Sequence, residues 1–125
     1  MHYDCIVIGA GISGINAGYH LNTYCKWANY IILERRSNIG GTWDFFKYPG
    51  IRSDSDMYTF GFSWKIWEST QPIATAEEIL AYLNEAAEEQ GMKVQSFGIN
   101  FITRLYTQYG FIRNNSLRNS NQYFD

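Results

Sequence analysis

The sequence predicts an α/β fold with a parallel sheet, and three observations within the first 34 residues support that class. An apolar run at residues 3–8 ends in a turn, residues 9–14, of the form G-x-G-x-x-G. Apolar residues then recur at helical spacing to about Tyr24, and a second apolar run at residues 30–33 ends at Glu34. A strand, a glycine turn, a helix and a strand over about 30 residues predict a β-α-β unit with parallel strands.

The residues of each element in this unit explain why that element forms. Residues 3–8 are almost continuously apolar, which predicts a parallel strand covered on both faces, with Cys5 as a small buried residue. The helix from Ile12 to about Tyr24 contains Gly18. That glycine weakens the helix by about 1 kcal/mol relative to alanine unless close packing requires it.

The glycine turn carries the chemistry. Gly9 permits the tight turn, Gly11 lets the backbone approach a pyrophosphate, and Gly14 lets the helix pack closely on the strand. The free N–H groups at the helix start then point at the phosphates. We therefore predict a Rossmann-type, three-layer α/β domain with an incomplete parallel sheet, which binds a dinucleotide.

Glu34 lies 20 residues after Gly14, where a carboxylate accepts the ribose hydroxyls of an adenosine. A carboxylate there disfavours a 2′-phosphate, so the site suits FAD or NAD better than NADP. Arg35 and Arg36 keep the NADP alternative open, because a guanidinium beside the ribose also holds a 2′-phosphate. On its own, Glu34 would be interpreted as a solvated charge at a strand end.

The middle of the chain contains two turns. Gly40 and Gly41 lie in the loop at residues 37–44 and allow the chain to turn back towards the nucleotide. A second turn at residues 48–50 is followed by residues 53–56, which form either a helix cap or Asx-turn or a functional segment. Trp64 and Trp67 predict a partly buried aromatic loop.

The clearest helix begins at Thr75, the first residue of a T-x-x-E capping box, and ends near Gly91. Its apolar stripe is Ile79, Leu80, Leu83, Ala86 and Ala87, and its solvated face is Glu85, Glu88 and Glu89. Short strands are predicted at residues 93–97, 101–106 and 109–113. We expect residues 1–113 to form the amino-terminal part of the domain, and residues 114–125 to be a polar, disordered tail.

The composition excludes several function classes. A formal net charge of −2 supplies no basic surface for nucleic acid. The two cysteines make neither a disulfide framework nor a metal site. With neither a signal peptide nor a membrane span, we expect a cytoplasmic protein. Aromatic residues make up 18% of the chain, which suits either a pocket for flat rings or a core of large side chains.

Four motifs in order over residues 4–67 resemble the amino-terminal part of class B flavoprotein monooxygenases of Baeyer–Villiger type, including the ethionamide-activating group. The motifs are the glycine turn, Leu33-Glu34-Arg35-Arg36, Gly40-Gly41-Thr42-Trp43-Asp44, and the run from Tyr48-Pro49-Gly50 through Ile51-Arg52-Ser53-Asp54 to Met57. The second glycine pair with its tryptophan and the last run are the specific parts of the resemblance.

The resemblance implies a set of site residues. Gly9, Gly11, Ser13 and Gly14 would hold the FAD pyrophosphate, and Glu34 the adenosine ribose. Gly41, Thr42, Trp43 and Asp44 would line the flavin side of the site, and Arg52, Ser53 and Asp54 would approach the isoalloxazine and the nicotinamide of NADPH. Asp54 matches the active-site aspartate that holds a catalytic arginine, and Phe101 falls near a backbone contact with the adenine.

The resemblance also implies the reaction. NADPH reduces FAD, O2 adds to form a flavin peroxide, and one oxygen atom enters a ketone or oxidises a soft heteroatom such as a thioether. Members of the family are several hundred residues long, so we expect this chain to be a truncated, split or frameshifted piece that is inactive alone. In the case of a split enzyme, a separate chain would supply the NADPH domain. The alternatives are a non-catalytic dinucleotide-binding fragment and a small interaction module.

Overall fold

The computed structural model of the protein describes residues 2–97. In chain order its elements are β1 (Cys5–Ile8), α1 (Ile12–Tyr24), β2 (Tyr30–Glu34), α2 (Thr42–Phe45), α3 (Met57–Phe60), α4 (Ala76–Glu89) and β3 (Val94–Ser96). The strands form one parallel sheet in the order β1-β2-β3. The predicted strands at 101–106 and 109–113, Phe101, and the boundary between residues 113 and 114 lie outside the described residues.

The predicted β-α-β unit is confirmed. Cys5 pairs with Tyr30 at one end of the β1–β2 ladder, and Ile8 pairs with Leu33 at the other. α1 packs on this pair so closely that a Cβ added at Gly18 would lie 3.0 Å from the side chain of Ile32. Gly18 therefore lies at a close contact between α1 and β2, where an alanine would require the Ile32 side chain to shift.

The prediction that the first strand is buried on both faces is wrong. Ile6 and Ile8 are 38% and 56% exposed, whereas Cys5 and Val7 contact the buried cluster around Ile32. Among the described residues β1 lies at the edge of the sheet, and α1 covers one of its faces. Cys5 is accordingly half-buried and not part of the interior. Every residue of the central strand β2 is buried.

α4 has the two ends that the sequence predicts. Thr75 Oγ1 accepts from the amide of Glu78 at 3.3 Å, and Glu78 Oε2 accepts from the amide of Thr75 at 2.8 Å, which completes the capping box. Beyond the last turn, Gly91 has φ of +56°, and the amides of Gly91 and Met92 donate to carbonyls of α4 at 2.9 and 3.1 Å. This arrangement is a Schellman motif.

The largest side chains gather between α4 and the loop at residues 61–67. We call Phe62, Trp64, Trp67 and Tyr82 the aromatic core. The Phe62 and Trp64 rings stack at 4.6 Å and 11°, and Tyr82 lies beside Phe62 at 5.5 Å. Trp67 is buried and Trp64 half-buried, as predicted for this loop. Tyr82 is a core residue that the predicted apolar stripe omitted.

Hydrogen bonds and charges fix the same loop. The Tyr82 hydroxyl donates to the carbonyl of Lys65 at 2.6 Å and accepts from the amide of Phe62 at 2.8 Å. Burial raises the pKa of Tyr82, so the hydroxyl keeps its proton. Lys65 Nζ pairs with Glu85 at 3.1 Å and with Glu89 at 2.7 Å. Both glutamates belong to the exposed face of α4 that the sequence predicts.

Two single-turn helices interrupt segments that the sequence predicts as loop and turn. α2 begins directly after Gly41, whose φ is +56°. α3 begins after Asp56, whose side chain accepts from the amide of Thr59 at 2.9 Å. Asp56 is thus a helix cap, one of the interpretations of residues 53–56.

Residues 2–97 also lack a membrane-spanning helix and a cluster of metal ligands. None of the helices in this range is both long and apolar enough to span a bilayer. No group of three or more histidine, cysteine, aspartate or glutamate side chains converges there as a set of metal ligands.

Candidate functional site

Two glycine turns meet at the carboxyl ends of β1 and β2, and we call Gly9, Gly11, Gly14, Gly40 and Gly41 the glycine cradle. Gly9 has φ of +95° and Gly41 has φ of +56°, values that favour glycine. The amide of Gly40 donates to the carbonyl of Ala10 at 2.9 Å. A Cβ on Gly41 would lie only 3.0 Å from the Cα of Gly11. The second glycine pair therefore lies directly against the first glycine turn.

Gly14 holds α1 against the end of β1. A Cβ added at Gly14 would overlap the carbonyl oxygen of Gly9 and lie 3.7 Å from Val7 Cγ1. The predicted role of Gly14 in close packing of helix and strand is therefore confirmed. Because glycines face each other here, the surface of the cradle is bare backbone.

α1 begins in the cradle without a cap. Gly11 is the N-cap residue, so the first turn receives no side-chain hydrogen bond from its cap, and that turn contains no acidic residue. Ser13 lies exposed in the same turn. The amide groups at a helix start carry partial positive charge and lack partners within the helix. This helix end can therefore accept an anion.

Glu34 lies at the edge of the cradle and is 6% exposed. Its Oε2 accepts from the amide of Ala10 at 2.7 Å, and its Oε1 accepts from the amide of Arg36 at 2.9 Å. The interpretation of Glu34 as a solvated strand-end charge is therefore wrong. The carboxylate ties the end of β2 to the first glycine turn.

Asp44 is buried behind the second glycine pair. Its Oδ2 accepts from Arg36 Nε at 2.9 Å, and its Oδ1 accepts from Asn38 Nδ2 at 3.3 Å. Burial raises the pKa of Asp44, but hydrogen bonds from Arg36 and Asn38 and the charges of Arg36 and Lys47 outweigh it and hold that pKa below 3.8. The carboxylate is therefore ionised at neutral pH.

The remaining residues of the second glycine motif have different surroundings. Thr42 is exposed at the start of α2. Trp43 packs edge-on against Phe60, with ring centroids 6.0 Å apart, and contacts the main buried cluster. Trp43 therefore joins α2 to α3 as well as lying next to the cradle in sequence.

Residues 52–54 form an extended segment that pairs with the residues before α4. The amide of Ser53 donates to the carbonyl of Ala74 at 2.8 Å, and its Oγ accepts from the amide of Ala74 at 3.1 Å. Arg52 bridges antiparallel to Thr75 through the backbone. Ser53 is buried, whereas Arg52 and Asp54 on either side of it are exposed.

The structure thus brings together part of the predicted site. The glycine turn with Ser13, the second glycine pair and Glu34 converge at one sheet edge, and Asp44 joins them through Arg36. Arg52, Ser53 and Asp54 belong to another segment, bonded to residues 74–76, and Phe101 lies outside the described residues. The pairing of Arg36 with Asp44 was missed. Its signal in the sequence is two opposite charges eight residues apart on either side of a glycine pair.

Comparison with known proteins agrees with the resemblance that the motifs indicate. The FAD-containing monooxygenase EthA of Mycolicibacterium smegmatis is 58% identical over 91 residues, which are 73% of this chain and 18% of that protein. A solved structure of an oxidized steroid monooxygenase bound to NADP has a TM-score of 0.68 at 30% identity, over 75% of this chain. A closed crystal structure of cyclohexanone monooxygenase has a TM-score of 0.67 at 30% identity.

The chain spans about a fifth of these proteins, since it covers 18% of the EthA relative and 19% of each of the two solved chains. The family of NAD(P)-binding Rossmann-like domains matches residues 7–76. That range contains the last two residues of β1, all of α1 and β2, and the whole glycine cradle. On this match and on the geometry of its β-α-β unit, the chain belongs to the NAD(P)-binding Rossmann-like domain family.

Proposed function

We propose that this chain is the amino-terminal FAD-binding segment of an NADPH-dependent flavin monooxygenase. The observation that carries the proposal is the glycine cradle, in which two turns of bare backbone face each other beside an uncapped helix start and a buried glutamate. The monooxygenase relatives supply the cofactor class, because they are named as FAD-containing or solved with NADP bound.

The cradle fits a pyrophosphate. Gly11 and Gly41 face each other, and a Cβ on Gly41 would lie 3.0 Å from the Cα of Gly11, so the two turns bring their backbones together next to the start of α1. Beside them, the first turn of α1 offers uncapped amide groups and the positive end of the helix dipole. Phosphate binding at helix starts uses these two features together. Ser13 would add a hydroxyl donor from the same turn.

Glu34 fits the ribose of the adenosine. An ionised carboxylate has about four acceptor sites, and the two backbone amides use two of them. The sites that remain can accept hydrogen bonds from two vicinal hydroxyls. Since the same bonds hold the carboxylate at the edge of the cradle, ribose binding requires no rearrangement of Glu34.

The flavin end of the site is assigned by the resemblance. Thr42 and Trp43 of α2 would line the flavin side next to Gly41. Arg52 and Asp54 would face the isoalloxazine and the nicotinamide of NADPH, while the buried Ser53 would hold their segment in place. Asp54 would orient a catalytic arginine that lies outside these 125 residues. Phe101 would add a backbone contact to the adenine.

The proposed reaction consumes O2 and NADPH and transfers one oxygen atom to a ketone or to a soft heteroatom such as a thioether. The bound flavin supplies the oxygen-transfer chemistry. The residues of this chain bind and orient the dinucleotide. The NADPH domain would be supplied by a separate chain or a further segment.

Flavin binding by the 125-residue chain tests the proposal. Purified protein is expected to bind FAD, measured by its visible spectrum and by quenching of flavin fluorescence. Glu34→Gln keeps the size of the side chain but removes its charge, and should raise the Kd for FAD by about tenfold or more. Glu88→Gln, on the exposed face of α4, is the matched control and should leave the Kd unchanged. A colourless, folded protein that binds no flavin would contradict the proposal.

Reconstitution distinguishes the enzyme segment from a non-catalytic fragment. The flavin-bound chain is mixed with the part of the Mycolicibacterium smegmatis relative that lies beyond the matched residues. Ketone-dependent NADPH oxidation with oxygen uptake is expected for the mixture and for neither part alone. Flavin binding without such activity would favour the non-catalytic dinucleotide-binding fragment.

A further inference from the structure

Arg36 lies beside the ribose position, yet its guanidinium is engaged elsewhere. Its backbone amide donates to Glu34 Oε1 at 2.9 Å, so the residue adjoins the carboxylate proposed to bind the ribose. Its Nε donates to Asp44 Oδ2 at 2.9 Å, and its Nη2 donates to the carbonyl of Asp44 at 3.2 Å. The guanidinium carbon also lies 4.9 Å from the centre of the Phe45 ring. Three contacts therefore hold the side chain against α2.

Asp44 is itself held in place. Its side chain is 9% exposed, and its second oxygen accepts from Asn38 Nδ2 at 3.3 Å and lies 3.7 Å from Lys47 Nζ. Both carboxylate oxygens are thus engaged, and the aspartate cannot rotate away from Arg36 without losing these bonds. A paired and buried carboxylate is a strong and directional partner for a guanidinium.

The position of Arg36 bears on nucleotide choice. A guanidinium beside the ribose is the group that recognises a 2′-phosphate, through its fork of N–H donors. Here the guanidinium of Arg36 donates to Asp44, and the negative charge of Asp44 neutralises the positive charge of Arg36. The unpaired charge that faces the ribose is then the carboxylate of Glu34, which repels a 2′-phosphate.

We propose that Asp44 is a positioning residue, which holds Arg36 on Phe45 and so makes this nucleotide site select an adenosine with an unphosphorylated ribose. This inference rests on the proposed function, because it assumes that the ribose binds at Glu34. It gives Asp44 a role through Arg36, beyond the direct lining of the flavin that the resemblance implies. FAD would be accepted at this site and NADPH refused.

Two small probes test the inference without any turnover. ADP has a free 2′-hydroxyl, and adenosine 2′,5′-bisphosphate has a phosphate there. The Kd of each probe is measured by calorimetry for the wild-type 125-residue chain and for Asp44→Asn. The wild-type chain should prefer ADP. Asp44→Asn removes the charge that pairs with Arg36 and so weakens its hold on the guanidinium, and it should reduce the preference by about tenfold or more, since a charge-assisted bond to phosphate is of that strength.

A second substitution assigns the effect to Arg36. In Asp44→Asn/Arg36→Ala the preference for ADP should return to about the wild-type ratio, whereas in Asp44→Asn/Arg35→Ala it should stay reduced. Arg35 is the matched control because it has the same charge, is adjacent in sequence and is exposed. If the reduction persists without Arg36, the lost charge of Asp44 explains it, and the proposal is wrong.

Phe45→Ala provides an independent variant, because Phe45 is 54% exposed and its removal leaves the buried aspartate in place. Loss of the ring contact should loosen Arg36 and reduce the preference for ADP by about twofold to fivefold. An unchanged ratio in both Asp44→Asn and Phe45→Ala would overturn the inference and leave the proposed function intact. A wild-type chain that binds neither ADP nor FAD would overturn both.

Discussion

The glycine cradle and the aromatic core each hold a loop against the start or side of a helix, but they do so by opposite means. In the cradle, the loop at Gly41 contacts α1 through backbone atoms alone, and a Cβ there would lie 3.0 Å from the Cα of Gly11. In the aromatic core, the loop at residues 61–67 contacts α4 through stacked rings and the hydroxyl of Tyr82. A contact between backbones leaves little room for an added atom, whereas a contact between side chains can lose single groups without being lost as a whole.

The strictest test of this difference is Gly14→Ala. The added methyl group would overlap the carbonyl oxygen of Gly9, and neither backbone segment can move without separating α1 from β1. We expect a loss of more than about 4 kcal/mol in the free energy of unfolding, which places the change among the exceptional single substitutions. Urea unfolding followed by circular dichroism measures it.

Gly11→Ala is the matched comparison within the same turn. Gly11 has φ of −80°, and its added Cβ would lie 3.5 Å from the Cα of Gly41, an ordinary contact. The variant should fold with less than about 1 kcal/mol of destabilisation but lose FAD affinity, because the methyl group would lie between the two glycine turns that are proposed to hold the pyrophosphate. Equal stability of the two alanine variants would show that the cradle is not held by backbone contact.

A single substitution in the aromatic core should reduce the free energy of unfolding by less than Gly14→Ala does. Tyr82→Phe keeps the ring stack but removes the acceptor of the Phe62 amide, which is then buried without a partner. We expect a loss of about 1–3 kcal/mol in the free energy of unfolding. Tyr58→Phe is the control, because that hydroxyl is exposed and its removal should cost about 0.5 kcal/mol or less. A Tyr82→Phe protein as stable as the control would mean that ring packing alone holds the loop.

A small effect on stability should come from Asp44, which links the cradle to α2 by charge. Its pKa in the folded protein lies below 3.8, so its ionised form stabilises the fold above that pH, and the contribution is lost as the pH falls through the folded pKa. Wild type should exceed Asp44→Asn in stability by about 1 kcal/mol at neutral pH. That difference should shrink in acid below 3.8. A difference that does not change with pH would contradict an ionised Asp44.

The sequence predicts the cradle better than the aromatic core, and the reason is physical. Glycines and a capping box act over a few residues, so the turn at Gly14, the return of Gly41 and the start of α4 at Thr75 follow from local patterns. The role of Tyr82 depends on a partner 20 residues earlier, at Phe62, which no helical spacing reveals.

The errors have the same origin. The apolar sequence of β1 predicts a strand that is buried on both faces, but Ile6 and Ile8 are exposed. Their exposure depends on which other elements cover β1, and the residues of the strand do not determine that. The opposite charges of Arg36 and Asp44 are visible in the sequence, but their pairing requires the glycine pair to fold the loop back. The ends of elements and the turns are local properties, whereas burial and ion pairing are properties of the assembled chain.

The pairing of Ser53 with Ala74 has a mechanical consequence. The amide of Ala76, at the first residue of α4, donates to the carbonyl of Ile51 at 3.1 Å, next to the two bonds between Ser53 and Ala74. The segment that contains the exposed charges of Arg52 and Asp54 is therefore hydrogen-bonded to the start of α4. A displacement of the start of α4 would therefore move both charges together.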